Sequence, residues 1–190
     1  MDKSAGLISL LTHIRNLKQL PRTGWLLANV AQPESIADHS YGVAVLTLFL
    51  GEAINQSWKN EGLSGPLDLG QAVQIALLHD MAESEVTDLP HRTTKLIGEE
   101  VKHQAEEKAI SGIVDDLPNG GLYHTYWKDY AQKATPEARL VKDADKLEMV
   151  YQSKVYEQRG QHNLREFREG HRWYFQASQV LFDRITRDQA

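Results

Sequence analysis

Cysteine is absent from this 190-residue chain. Disulfides and thiolate catalysis are therefore excluded, and any metal has to be held by histidine and carboxylate. Long hydrophobic runs are also missing: no stretch approaches the roughly 20 apolar residues of a membrane helix, so no membrane partner is expected. The amino-terminal segment MDKSAGLISLLTHI carries one basic residue and no small-residue cleavage site, which predicts a cytoplasmic protein without a secretory signal. Clustered positive charge is lacking as well. The formal charge is −5 and the 21 Lys and Arg are scattered, whereas a nucleic-acid duplex calls for a concentrated basic face. Glycine and proline are sparse, at 13 and 6 positions, and form no linker or low-complexity tract. The length suits one core rather than two, so residues 1–190 are expected to form a single domain.

What is present is helical periodicity nearly throughout, with no sustained period-two alternation. The reading is a first helix over about residues 3–17, then an apolar loop, PRTGWLLANVAQPE. Ser35 with Asp38 three residues on forms an acidic capping box for a second helix, Ile36 to about Trp58. A third runs from Leu69 to Ser84, apolar on every side and hence central. A fourth covers about Thr94 to Asp116 and a shorter one Leu122 to Gln132. Thr135-Pro136-Glu137 opens a helix that continues to about Arg159, and the last spans about Leu164 to Arg187. The fold class is an all-α bundle of about six or seven helices.

Eight histidines are the compositional oddity. His79-Asp80 lies within the helix read as most buried, where an ionised carboxylate needs a partner or a cation. Adjacent helical side chains diverge by about 100°, so the pair can straddle one ion but cannot complete its coordination. His39, in the first turn of the second helix, is a further candidate ligand. So are Asp143 and Asp145 in LVKDADKLEMV. Periodicity leaves those two aspartates even, flanking the apolar stripe on opposite sides, with Glu148 nearer its centre. Glu83 follows His79 by four residues and Asp80 by three, on the same helix face, and Asp88 follows in TDLP. The other histidines read as surface or packing residues, and His103, in EEVKHQAEEK, as part of a solvated face.

His…His-Asp…Asp on separate helices resembles the HD-domain phosphohydrolases, which are all-α metalloenzymes. LKQLPRTGW, NV, PESIADHSY, ALLHDMAES, TDLP and KDADKLEM resemble successive blocks of the HD-type 5′-deoxynucleotidases, in order, over about residues 17 to 152. One departure is that Thr23 and Gly24 stand between Arg22 and Trp25, where some bacterial members have the two adjacent; this chain is nearer the RTGW-bearing subgroup.

The resemblance implies that His39, His79, Asp80 and Asp145 are the metal ligands, with Asp143 a solvated or supporting carboxylate. It makes Glu83 and Asp88 the catalytic acids, or ligands of a second, weakly held Mg²⁺. Two nitrogen ligands favour Mn²⁺, Co²⁺, Fe²⁺ or Zn²⁺ over Mg²⁺ at the main site. Arg22 is expected to hold the substrate phosphate with a bidentate fork, Lys18 to support it, and Trp25 to offer a flat surface to sugar or base, although large aromatics generally pack. The implied substrate is a (deoxy)nucleoside 5′-monophosphate and the implied assembly a homodimer. A nucleotide pyrophosphohydrolase and a non-catalytic nucleotide-binding module with a structural metal are the alternatives.

Overall fold

The computed structural model describes residues 3–187. Its helices are α1 (Lys3–Gln19), α2 (Thr23–Leu27), α3 (Ile36–Gln56), α4 (Leu69–Leu78), α5 (Glu83–Val86), α6 (His91–Ile97), α7 (Glu99–Val114), α8 (Gly120–Gln132), α9 (Pro136–Gln158) and α10 (Gln176–Arg187). A 3-10 turn covers Arg165–Arg168. Seven of the helices have ten or more residues, as the periodicity suggested. No strand occurs among the described residues; an isolated antiparallel bridge joins Pro21 to Ser35.

The local signals behave as the sequence reads. Ser35 and Asp38 form the reciprocal capping box of α3, and the Thr135 side chain caps α9 with Pro136 in its first turn. Helices α3, α4 and α9 make the centre of the bundle. Their shared core includes Val43, Ala44, Ile75, Ala76, Val141 and Ala144. The alanines keep the helix surfaces thin where they meet, so three helices approach closely and the polar residues at their ends converge. Helix α8 packs on α4 and α9, α7 packs on α8, and α10 lies across α9 and α3.

The structure departs from the sequence reading in four elements. The apolar loop after α1 contains α2, and its ends are zipped by Arg22 N–H to Glu34 O (3.0 Å) and Ile36 N–H to Leu20 O (3.0 Å). The expected Leu69–Ser84 helix stops at Leu78, and it is not buried on every side, since Leu77 is 53% exposed. The His79 ring donates from Nδ1 to Ala76 O (2.6 Å), and the chain tightens into turns in which Met81, Glu83 and Ser84 N–H each reach back three residues. The Thr94–Asp116 segment is two helices, divided where Gly98 adopts φ 92°, a conformation open to glycine and costly for other residues. The last segment is not one helix: after the 3-10 turn the chain runs irregularly to α10, fastened by Asp143.

Candidate metal centre and cleft

His39 enters from the first turn of α3, His79 from the end of α4, Asp80 from the turn that follows, and Asp145 from the middle of α9. His39 Nε2 lies 3.2 Å from Asp145 Oδ1 and 3.8 Å from Asp80 Oδ2, and His79 Nε2 lies 3.2 Å from Asp80 Oδ2. One ligand atom each of His39, His79 and Asp145 falls within 4.8 Å of the others. Both imidazoles are buried, and among the described residues neither Nε2 makes a well-aligned hydrogen bond, although each lies 3.2 Å from a carboxylate oxygen. Buried polar atoms are almost always satisfied, so two orphaned nitrogens facing two carboxylates are a donor set that fits a divalent cation.

The far side of each ring explains why Nε2 is the free nitrogen. His79 Nδ1 faces a carbonyl, which only accepts, so Nδ1 carries the proton. His39 Nδ1 lies 2.6 Å from Glu148 Oε2, with the ring itself fully buried. Carboxylates behind imidazoles commonly fix the tautomer of metal-binding histidines in this way. Gly42, one turn after His39, leaves room for Glu148: a Cβ there would stand 3.0 Å from its Cγ. A second carboxyl, Glu34, shares this pocket, grouped with His39 and Glu148 within 4.8 Å. Burial and the Glu148 charge raise Glu34 to about 7, against the hydrogen bond from Trp25 Nε1 (2.9 Å). Asp145 is held by the Tyr130 hydroxyl, which donates to its Oδ2 at 2.7 Å.

The electrostatics favour positive charge at this point. Burial and Arg22 work against a protonated His39, yet Asp145 and Glu148 outweigh them and raise it to about 9. Despite burial, Asp80 and Asp145 stay well below the ordinary carboxylate range, held there by His79, His39 and, for Asp80, Arg22. Glu83 goes the other way: burial, then the charges of Asp80 and Asp88, push its carboxyl well above the ordinary value. It is 5% exposed and its Oε2 has no hydrogen-bond partner. Asp88 is turned back towards α2 after Thr87 (φ 65°) and accepts the Thr23 N–H at 2.6 Å. A β-branched residue at such an angle is strained, and the strain sits beside the site.

His79, Asp80, Glu83, Asp88, Tyr130 and Asp145 line one cleft of about 750 Å³, with the fully buried His39 behind its wall. Arg22 lies in its wall and reaches Asp80 with Nη1–Oδ2 at 3.3 Å, despite burial that opposes its charge. Lys142 lines the cleft near Asp145; burial lowers its pKa, and Asp145 and Asp80 partly offset this.

The structure brings His39, His79, Asp80, Asp145, Glu83, Asp88 and Arg22 together, and it corrects four other expectations. Lys18 is exposed in the last turn of α1 and does not line the cleft, so it gives Arg22 no support among the described contacts. Trp25 is 2% exposed, packed against Phe167 (4.1 Å between ring centres) and Tyr156 (5.2 Å); it is a wall, with no free face for a base. Asp143 is neither solvated nor near the ligands. It is fully buried and accepts the N–H groups of Tyr174 (2.9 Å) and Phe175 (3.1 Å), because the chain before α10 covers that flank of α9. His103 is half-buried, stacked on Trp127 at 5.4 Å rather than solvated. Sequence reasoning assigned no role to Glu148, Glu34, Tyr130 or Lys142. Only Glu148 gave a signal, as a carboxylate near the middle of an apolar stripe.

Residues 14–180 match the HD domain family, and the chain belongs to that family. Within it, the chain is 35% identical to 5′-deoxynucleotidase HDDC2 of Mus musculus over 155 residues, covering 80% of this chain and 71% of that protein. It is 35% identical to 5′-deoxynucleotidase hdd1 of Schizosaccharomyces pombe over 175 residues, 87% and 80% of the two chains. A solved structure of a conserved hypothetical protein from Pyrococcus furiosus matches with TM-score 0.79 and 36% identity, over 95% of this chain and 99% of that one.

Proposed function

We infer that this chain is a metal-dependent phosphomonoesterase that hydrolyses (deoxy)nucleoside 5′-monophosphates to nucleoside and phosphate. The observation that carries the reading is the pair of buried, unpartnered Nε2 atoms of His39 and His79 facing Asp80 and Asp145, in a chain whose relatives are 5′-deoxynucleotidases. A purely structural cross-link has no use for the buried, partnerless Glu83 carboxyl beside it.

His39, His79, Asp80 and Asp145 would hold the ion, and their nitrogen content favours Mn²⁺, Co²⁺, Fe²⁺ or Zn²⁺. When bound, such an ion supplies Lewis acidity to the phosphoryl oxygens and acidifies water near neutral pH. Arg22 meets the phosphate with a charge that does not titrate. Water oxygen forms the new bond to phosphorus as the P–O5′ bond breaks. The attacking water leaves its proton with Asp88, and the departing 5′-oxygen takes one from Glu83, whose raised pKa suits a donor. The alternative role for Glu83 and Asp88, in place of this proton traffic, is to hold a second, weak Mg²⁺. A cytoplasmic location and a homodimer complete the proposal. The family resemblance supports the dimer, and no helix of the described residues is long and apolar enough to cross a membrane.

The test incubates purified protein and Mn²⁺ or Co²⁺ with nucleoside mono-, di- and triphosphates, measuring phosphate and pyrophosphate separately. Phosphate from the monophosphates is expected. Pyrophosphate from triphosphates, or no release with any metal, would overturn the reading.

A further inference from the structure

The cations of the cleft differ in what they hold. Arg22 is engaged by Asp80. Lys102 Nζ lies 3.4 Å from Leu89 O and 3.5 Å from Glu106 Oε1. Lys146 Nζ donates to Arg172 O at 2.6 Å and lies 3.4 Å from Asp143. Lys133 is exposed at the rim. Lys142 alone among these lysines is half-buried without an acceptor: no hydrogen bond or ion pair of its Nζ occurs among the described residues. Its ammonium lies over the face of the Tyr130 ring, 3.4 Å from the ring centre.

That contact fixes where the ammonium lies. The Tyr130 hydroxyl holds Asp145 Oδ2 at 2.7 Å, and the Tyr130 ring meets the His79 ring edge-on with centres 5.1 Å apart. Lys142 also precedes Asp145 by one helical turn on α9. It therefore stands on the Tyr130–Asp145 side of the histidine pair, whereas Arg22 is tied to Asp80. A ring face attracts an ammonium but accepts no conventional N–H hydrogen bond from it, so the donors of Lys142 are left free for an anion in the cleft. A phosphate dianion placed over His39 and His79 supplies one.

We propose that Lys142 is a substrate-binding residue whose ammonium donates to a non-bridging phosphate oxygen, so that the phosphate is gripped by Arg22 and Lys142 from two sides. The proposal rests on the phosphomonoesterase reading for its substrate, yet it concerns phosphate binding and can be tested without turnover. Tyr130 then has two tasks, orienting Asp145 through its hydroxyl and seating Lys142 on its ring. Helices α8 and α9 thus shape both the ion site and the anion site, through Tyr130 and Lys142.

The experiment measures binding of inorganic phosphate to manganese-loaded protein by calorimetry, for wild type, Lys142→Met, Lys142→Arg and Lys133→Met, with thermal midpoints and metal content recorded for each. Lys142→Met is expected to weaken phosphate binding by about tenfold or more, as loss of a charge-assisted contact does. Lys142→Arg should restore most of it, and Lys133→Met should change it less than about twofold, as suits an exposed, screened charge. In turnover assays, KM for a nucleoside monophosphate should rise in Lys142→Met. Should that variant fold poorly, Lys142→Gln takes its place. Unchanged phosphate affinity in the Lys142 variants, equal weakening by Lys142→Met and Lys133→Met, or no phosphate binding by wild type would each overturn the proposal. Phosphate binding through Lys142 without cleavage of any monoester would sink the hydrolase reading and leave this one standing.

Discussion

Glu148 has no expected place in the reaction, yet its removal should be felt directly in metal affinity. Glu148→Ala deletes the acceptor 2.6 Å from His39 Nδ1; the ring is fully buried, and any water entering the space of the 15%-exposed Glu148 side chain brings no charge. A buried hydrogen bond to a charged group contributes about 1.5–3 kcal/mol. Losing a carboxylate behind a metal-binding histidine commonly costs about 10–100-fold in affinity, which is about 1.4–2.7 kcal/mol, so the two scales agree. Glu34, within 4.8 Å of the same cluster, can take over part of the role and keeps the loss from growing larger. Glu148→Gln, which keeps an acceptor oxygen but no charge, should lose less. Gly42→Ala should imitate the effect weakly, since its Cβ would stand 3.0 Å from Glu148 Cγ and displace it. The assay is competition for Mn²⁺ or Co²⁺ against a chelator of known affinity, with circular dichroism confirming the fold. Wild-type affinity in Glu148→Ala would refute the argument that Glu148 sets the tautomer of His39.

Glu83→Gln should keep its metal and lose about 10²–10⁴-fold in kcat, the range for a general acid. Because burial and neighbouring carboxylates raise Glu83 and the protonated form is the donor, wild-type kcat should fall as pH rises through that raised pKa; a kcat that climbs there speaks against the donor role. Tyr130→Phe removes the 2.7 Å bond to Asp145 and should weaken metal binding by about 2–12-fold, the equivalent of 0.5–1.5 kcal/mol; an unchanged affinity rejects Tyr130 as its positioner. Asp143→Ala strands two N–H groups and should cost about 2–3 kcal/mol, or roughly 4–12 °C in melting temperature, with metal affinity untouched; an unaltered melt rules out its anchoring role.

The features legible in the sequence were those decided within a turn or two of chain. The Ser35–Asp38 box and the Thr135–Pro136 start depend on neighbours three residues apart, and the structure contains both. Asp143 and Asp145 could not be separated by periodicity, because what distinguishes them lies on other elements: Tyr130 for one, the backbone of Tyr174 and Phe175 for the other. The family resemblance, not the helical pattern, chose Asp145. Helix α4 was read too long because its hydrophobic pattern runs on past Leu78, while the His79 ring takes the Ala76 carbonyl that a continued helix would use. Trp25 was expected to face a substrate beside Arg22, although large aromatics generally pack; its neighbours in space, Tyr156 and Phe167, come from more than a hundred residues away and were not legible in the sequence.

The most direct measurement is anomalous diffraction from crystals grown with Mn²⁺. One peak is expected within about 2.0–2.5 Å of His39 Nε2, His79 Nε2 and an oxygen each of Asp80 and Asp145. A peak elsewhere in the cleft, or one that leaves His39 or Asp145 uncoordinated, would contradict it.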